Sequence, residues 1–543
     1  MPSTTADLVL HNARVYTVDG NRPTATAFAV QDGRFRTVGS DDAVLSAHPE
    51  VRRIDARGRT VVPGFIDAHA HLLELGLALT RADLTGTDSV EAVVEQLQAF
   101  AARHDSLEGT WLRGHGWDET DWSPSRLPSR DLLDAAFPNR PVWLTRTDLH
   151  AGWANTAALE ATVGLDRLRT MDDPDGGHIQ RDAEGRPTGI LVDEAMDLVS
   201  DQIPPPSDAR RDQALAAALN HTARHGVTGL HDAGVSLSQI RRFQRFIDDD
   251  AFPLRVYAMI DGRGDTLDHF CKRGPLHHDS GRLDAESVKF FADGALGSRG
   301  AALLDDYADD PGNRGLLHDK DPFHDHVRTA VACGFQVNAH AIGDRANRLV
   351  LEAYEAAMEE AEKPVRRPRI EHAQILAPED ISRFGDLGVI ASVQPLFATS
   401  DKDWVQDRLG PDRLNGAYAW KSLQETGVHL AFGSDAPVEP LDPLRGIHAA
   451  VTRQNADGHP EGGWRPEERL SRRSALRAYT LGAAVAASQE NELGSITPGK
   501  RADWAVLSRD LMKGNAHELL QTEVLATYLD GAPIYSGANW PDP

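Results

Sequence analysis

Cysteine is almost absent. Cys271 and Cys333 are the only two in a chain of 543 residues, too few for a disulfide scaffold and in no paired zinc spacing, so each is expected as an isolated buried thiol. Positive charge is also in deficit. With Lys and Arg totalling 57 against 82 Asp and Glu, the formal net charge is -25, which argues against non-specific binding to nucleic acid or anionic membrane, since either requires clustered cations. No stretch approaches the roughly 18 to 20 uninterrupted apolar residues of a membrane span. The opening MPSTTADLVLHNARVYTVDG lacks the basic region and apolar core of a signal peptide, so a cytoplasmic protein is expected. Internal repeats and low-complexity segments are missing too.

What is present is ordinary for a folded protein: 41% hydrophobic and 26% charged residues, with enough chain for a large domain plus further modules. The first sixty residues read as short strands and turns, with Asp32-Gly33 as a hairpin signal. A similar pattern returns in GSITPGKRADWAVLSRD and VLATYLDGAPIYSG, so the two ends could complete one sheet. Between them, short apolar runs alternate with helix-period segments, the pattern of βα units around a parallel sheet. The strand candidates are VVPGFIDAHAH, GVTGLHDAG, LRVYAMI, SVKFFADG, FQVNAHAIG, RIEHAQIL, GVIASVQP and VHLAFGSDAP. Eight such units predict an α/β fold with a TIM-type (β/α)8 barrel, whose chemistry sits at the C-terminal strand ends. A long Trp-rich insertion after the first strand, residues 75–208, is expected to form a cap subdomain.

His69 and His71 stand two apart on the first candidate strand, so they share a face. Two imidazoles on one strand make half of a site for zinc or a related divalent metal. Such a pair alone is more often structural. Here, however, Lys289, His340, His372 and Asp435 fall at or near the C-terminal ends of later strands of the same barrel, and that coincidence turns the reading towards a metal centre.

PGFIDAHAH, VNAHAIGD, IEHAQ, GSDAP and GSITPGKRADWAVL resemble the metal-dependent amidohydrolase superfamily. GHGWDET, RTDLHAGWANTAAL, VKFFADGALGSRGAAL and HAIGDRAN are similar to its subgroup of large amidohydrolases that includes N-substituted formamide deformylase. The resemblance covers nearly the whole chain. It implies a metal-binding barrel at residues 63–489 and a β-sandwich domain from residues 1–62 and 490–543. By position it implies that His69, His71 and Asp435 bind one divalent ion, zinc by preference, and that His340 and His372 bind a second. Lys289 would bridge them as an N6-carboxylysine, because a carbamate is an anionic oxygen ligand where a free ammonium would repel two dications. The implied activity is hydrolysis of a C–N bond in a small amide, N-substituted formamide or carbamate-like substrate by a metal-activated hydroxide, with Asp435 as base and then acid. An esterase, lactonase or lyase is the alternative on the same scaffold, and a non-catalytic assembly protein the remote one. Family habit suggests a homodimer.

The pocket is less specified. Trp117, His115, Trp153, Asn155, Arg299 and His150 are candidate substrate contacts, since aromatic walls with a few polar groups suit small organic ligands. Leu149 stands before His150 where the family phrase usually has glycine, so that loop differs. His231, Asp232 and Asp293 lie near the same strand ends as candidates for orienting the ligands.

Overall fold

The computed structural model describes residues 7–103, 111–119, 122–146, 151–174, 177–318, 323–361 and 364–540. The chain divides into two compact units, residues 1–75 with 218–543, and residues 76–217. Eight parallel strands dominate the first: β1 (Phe65–Ala70), β2 (Val227–Val235), β3 (Arg255–Asp261), β4 (Leu283–Phe291), β5 (Gln336–Ala341), β6 (Arg369–His372), β7 (Ile390–Val393) and β8 (Leu430–Phe432). They pair in sequence order from β1 to β8, with registers such as Val288 opposite Val337 and Ile370 opposite Ala391. These are the eight runs expected from the sequence. Their near-continuous apolar character follows from a parallel sheet covered on both faces.

The loop after β8 closes the ring. Asp435 donates its backbone N–H to the His69 carbonyl at 2.7 Å, and His71 donates to that of Ala436 at 2.8 Å. Gly433 is required at this seam: a Cβ there would sit 2.5 Å from the His69 nitrogen. The eight strands thus form a nearly closed TIM-type barrel.

Two further sheets belong to the same unit. One takes the strands Arg34–Gly39, Ala27–Gln31, Leu8–His11 and Arg52–Asp55 in that order. The other joins both chain ends, with Trp504–Leu507 antiparallel to Thr60–Pro63. The Asp32-Gly33 turn has φ of 50° and 71°, the left-handed pair of a tight hairpin. Phe28, Phe35, Trp504 and Tyr528 share one buried cluster, and the Trp504 and Tyr528 rings stack at 4.3 Å.

The unit of residues 76–217 carries its own sheet of six strands: Gly177–Arg181, Pro187–Asp193, Ala151–Ala154, Val142–Arg146, Leu112–Trp117 and Ala82–Asp83. Apolar clusters gather around Leu112, Leu144 and Trp117 and around Trp143, Leu191 and Leu159.

The expectation of two isolated thiols is corrected: Cys271 and Cys333 form a disulfide. Cys271 lies on the helix Gly264–Arg273 after β3, and Cys333 follows the helix Phe323–Ala332 before β5. The fold brings residues 62 apart in sequence to a Cα separation of 5.1 Å, which no local pattern could show. Thiols usually stay reduced in the cytoplasm, so this pairing stands in tension with the expected cytoplasmic compartment. Among the described residues, no helix is long and apolar enough to cross a membrane.

Candidate metal centre

Alternation along β1 sends Asp67, His69 and His71 to one side. Asp67 ties β1 to the loop of Asp435: its Oδ1 accepts the backbone N–H of His69 at 3.1 Å and of Ser434 at 3.0 Å. Burial raises its pKa to about 6.

His69 is the hub. Its Nδ1 lies 2.5 Å from Glu371 Oε2, and its Nε2 lies 3.2 Å from Lys289 Nζ and 3.5 Å from Asp435 Oδ1. His71 donates from Nδ1 to the Ala233 carbonyl at 3.0 Å and holds Nε2 3.1 Å from Asp435 Oδ1. His372 donates from Nδ1 to Gln394 Oε1 at 2.8 Å. Its ring centre is 4.9 Å from that of His69 and 4.5 Å from that of His340. All six proposed ligands therefore converge at the C-terminal end of the barrel.

The donor set fits a divalent metal. Carboxylate and carbonyl oxygens can only accept, so the partners of His69 and His71 place a proton on Nδ1 and leave each Nε2 lone pair for a ligand bond. Burial holds His69 and His372 well below their ordinary pKa and His340 down to about 3, which keeps the imidazoles neutral, the form that binds metal. His71 is raised: burial works against it, but the adjoining Asp435 carboxylate outweighs burial. Asp435 Oδ1 and His340 Nε2 are both buried and make no hydrogen bond. Buried atoms of this kind require a partner, and the ligand atoms of His69, His71 and Asp435 all lie within 4.8 Å of one another. Lys289 is fully buried, and burial lowers its pKa to about 8 against the raising effect of Glu371 and Asp435.

Two of the proposed ligands sit on unusual backbone. His372 has φ of 76° and Asp435 φ of 62°, a region that non-glycine residues occupy at a cost, most often at functional sites. The consequence is specific at β6. Adjacent strand residues ordinarily face opposite ways, yet Glu371 reaches His69 while His372 also turns into the site, because the left-handed φ interrupts the alternation.

Behind the ligands runs a buried charge relay. Arg369 Nε lies 2.8 Å from Glu371 Oε1. The same guanidinium donates to His231 Nδ1 at 2.8 Å, to the Ala68 carbonyl at 2.7 Å and to Ser392 Oγ at 3.1 Å. His231 is thus linked to His69 through Arg369 and Glu371. Asp232 Oδ1 accepts the Leu72 N–H at 2.8 Å, and burial raises its pKa to about 7. Asp293 accepts from the backbone of Ala302, Ile342 and Gly343 and lies 3.5 Å from His340 Nε2. It binds the loops after β4 and β5 into one wall.

The sequence reading missed Asp67, Arg369, Glu371 and Gln394. A charged pair inside the otherwise apolar RIEH strand was the available signal.

The pocket candidates are placed differently. Trp117 and Trp153 are fully buried in the core of the 76–217 unit, with ring centres 6.0 Å apart, and Trp117 donates to the Leu144 carbonyl at 3.2 Å. Asn155 is also fully buried. It caps the helix Thr156–Glu160, accepts from Val142 and Ala158, and donates to the Phe137 and Arg140 carbonyls. All three pack within that unit: Asn155 has no surface or free polar group left, both rings are buried, and Trp153 Nε1 makes no hydrogen bond. Arg299 is paired with Asp309 at 2.9 Å. His115 is half-buried on the strand Leu112–Trp117, and His150 lies outside the described residues.

Comparison with known proteins agrees with this geometry. Residues 52–535 match the model of the amidohydrolase family. The chain is 35% identical to LONG AFTER FAR-RED 3 of Arabidopsis thaliana, over 98% of this chain and 92% of that one. It is 31% identical to N-substituted formamide deformylase of Arthrobacter pascens, over 97% and 98% respectively. A crystal structure of an uncharacterized metal-dependent hydrolase from Pyrococcus furiosus superimposes with a TM-score of 0.76 at 29% identity, covering 93% of this chain and all of that one. Fold, ligand geometry and sequence match over most of the chain thus lead to one conclusion: the chain belongs to the amidohydrolase family.

Proposed function

We propose that this protein is a metal-dependent hydrolase of C–N bonds in small molecules, with N-substituted formamides or related amides as substrates. The observation that carries the reading is the buried cluster of His69, His71 and Asp435, with ligand atoms within 4.8 Å of one another. These three residues would hold one divalent ion, zinc by preference, and His340 with His372 a second. Lys289 reaches from β4 to within 3.2 Å of His69 Nε2, and its N6-carboxylated form would supply an anionic oxygen ligand. A divalent metal there supplies Lewis-acid polarisation of the carbonyl and lowers the pKa of water.

The protein side chains handle the protons and the geometry. Asp435 presents a carboxylate oxygen free of hydrogen bonds; it takes the proton that the attacking water loses and returns it to the leaving nitrogen. Glu371, Ala233 and Gln394 fix the imidazole rings through Nδ1, so little reorganisation accompanies the reaction. The Arthrobacter relative at 31% identity supports the formamide class.

The test is hydrolysis of N-substituted formamides and simple esters by zinc-loaded protein, alongside Asp435→Asn. Formamide turnover that falls by about 10²- to 10⁴-fold in the variant is expected. Ester turnover without amide turnover would overturn the substrate class, and full activity of the variant would overturn the role of Asp435.

A further inference from the structure

Arg81, Arg113 and Arg210 gather in the unit of residues 76–217, and among the described residues no carboxylate pairs with them. The strands Ala82–Asp83 and Leu112–Trp117 are parallel, with Ala82 opposite Gly114. The preceding residues, Arg81 and Arg113, are therefore neighbours across the sheet. Alternation places both on the face opposite Ala82 and Leu112, whose side chains enter an apolar cluster. Arg210 joins them from the first turn of the helix Asp208–Arg224, where its Nη2 donates to the Thr80 carbonyl at 3.2 Å.

The group is electrostatically unfavourable as it stands. Burial, then the charges of Arg81 and Arg210, lower Arg113 to about 10. Burial and the charges of Arg81 and Arg140 also lower Arg210, and burial lowers Arg81. No carboxylate figures among the charges acting on any of the three. A second observation is independent of charge: Nε of Arg113 and Nη1 of Arg210 are buried and make no hydrogen bond. Unpaired buried donors and unshielded like charges both destabilise a fold. In a chain of net charge -25, acidic partners for three arginines were plentiful, yet none of the three forms an ion pair with a carboxylate among the described residues.

We propose that Arg81, Arg113 and Arg210 form a binding site for a small oxyanion, a phosphate or carboxylate group that takes the unused guanidinium N–H donors. Guanidinium forks match both groups through paired hydrogen bonds, and Arg210 adds the positive end of a helix N-terminus. The site shares no residue with the proposed metal centre and does not depend on the activity proposed above.

The test is isothermal titration of the full-length protein with inorganic phosphate and with malonate at constant ionic strength, together with melting temperatures. Saturable binding of either anion, weakened at least tenfold in Arg113→Met, is expected. Phosphate alone, malonate alone or both would assign the source of the oxyanion. Arg113→Met without anion should also melt higher than the wild type, because a like charge and an unpaired donor are gone; a purely structural arginine would give the opposite shift. Should that variant not fold, Arg210→Gln carries the same test of affinity. No saturable heat with either anion, unchanged affinity in both variants, or a lowered melting temperature in anion-free Arg113→Met would each overturn the proposal.

Discussion

Glu371 concentrates two roles in one carboxylate: it orients His69 through Oε2 and neutralises Arg369 through Oε1. Replacing it by Gln keeps the shape and removes the charge. Metal affinity should fall about 10- to 100-fold, the usual cost of losing such an orienting partner, and the stranded Arg369 should lower stability by about 3 kcal/mol. Metal content at buffered free zinc and urea unfolding would measure both; unchanged zinc affinity would remove Glu371 from the site. Asp401 offers a pH-dependent counterpart. It accepts from Tyr418 Oη at 2.5 Å and from Gln374 Nε2 at 3.0 Å. Burial raises its pKa from 3.8 to about 7, the Glu439 charge adding to the rise and the two hydrogen bonds opposing it. The folded state thus holds this proton more tightly than the unfolded chain, so its contribution is full below pH 3.8 and is lost as pH climbs to about 7. Between those limits its slope approaches about 1.4 kcal/mol per pH unit. Asp401→Asn should flatten stability against pH there by that amount, measured by urea unfolding across pH 4.5 to 7.5. A parallel pair of curves would refute the assignment.

At the scale of elements, the seam between β8 and β1 sets the ligand geometry. Gly433→Ala would push a methyl into the His69 backbone nitrogen, a clash no side-chain rotation relieves. Overpacking of this kind costs about 1 to 3 kcal/mol, and the displaced β1 should also weaken zinc binding. A variant with wild-type unfolding midpoint and wild-type zinc affinity would show that the seam yields without cost. The strands themselves were legible in the sequence because each is a short apolar run, and the proposed ligands His69, His71, His340, His372 and Asp435 because each stands at a strand end. Glu371 was not, since a strand pattern places it opposite its neighbour His372. Only the φ of 76° at His372 turns both inward, and backbone conformation of that kind has no signature in residue type.

For the molecule as a whole, the C-terminal segment is fastened to the barrel unit by charge as well as by strands. Arg255 at the start of β3 binds Asp503 at 2.8 Å and also contacts Asp530, with about 8% of the Arg255 and Asp503 side chains exposed. Asp503→Ala should cost about 3 kcal/mol, because it leaves a buried guanidinium short of one partner; a loss below 0.5 kcal/mol in guanidinium unfolding would contradict this. The sequence by itself pointed to the barrel, the family resemblance and the proposed ligand residues, since apolar periodicity and residue types at strand ends are local properties. Tertiary structure alone decided what depends on distant segments meeting: the Cys271–Cys333 bridge, the Arg369–Glu371–His69 relay, the arginine cluster of the 76–217 unit, and the burial of Trp117 and Trp153 as core. Apart from the step from Arg369 to Glu371, those contacts join residues tens to hundreds of positions apart, and one linear sequence carries no record of which distant residues the folded chain brings together.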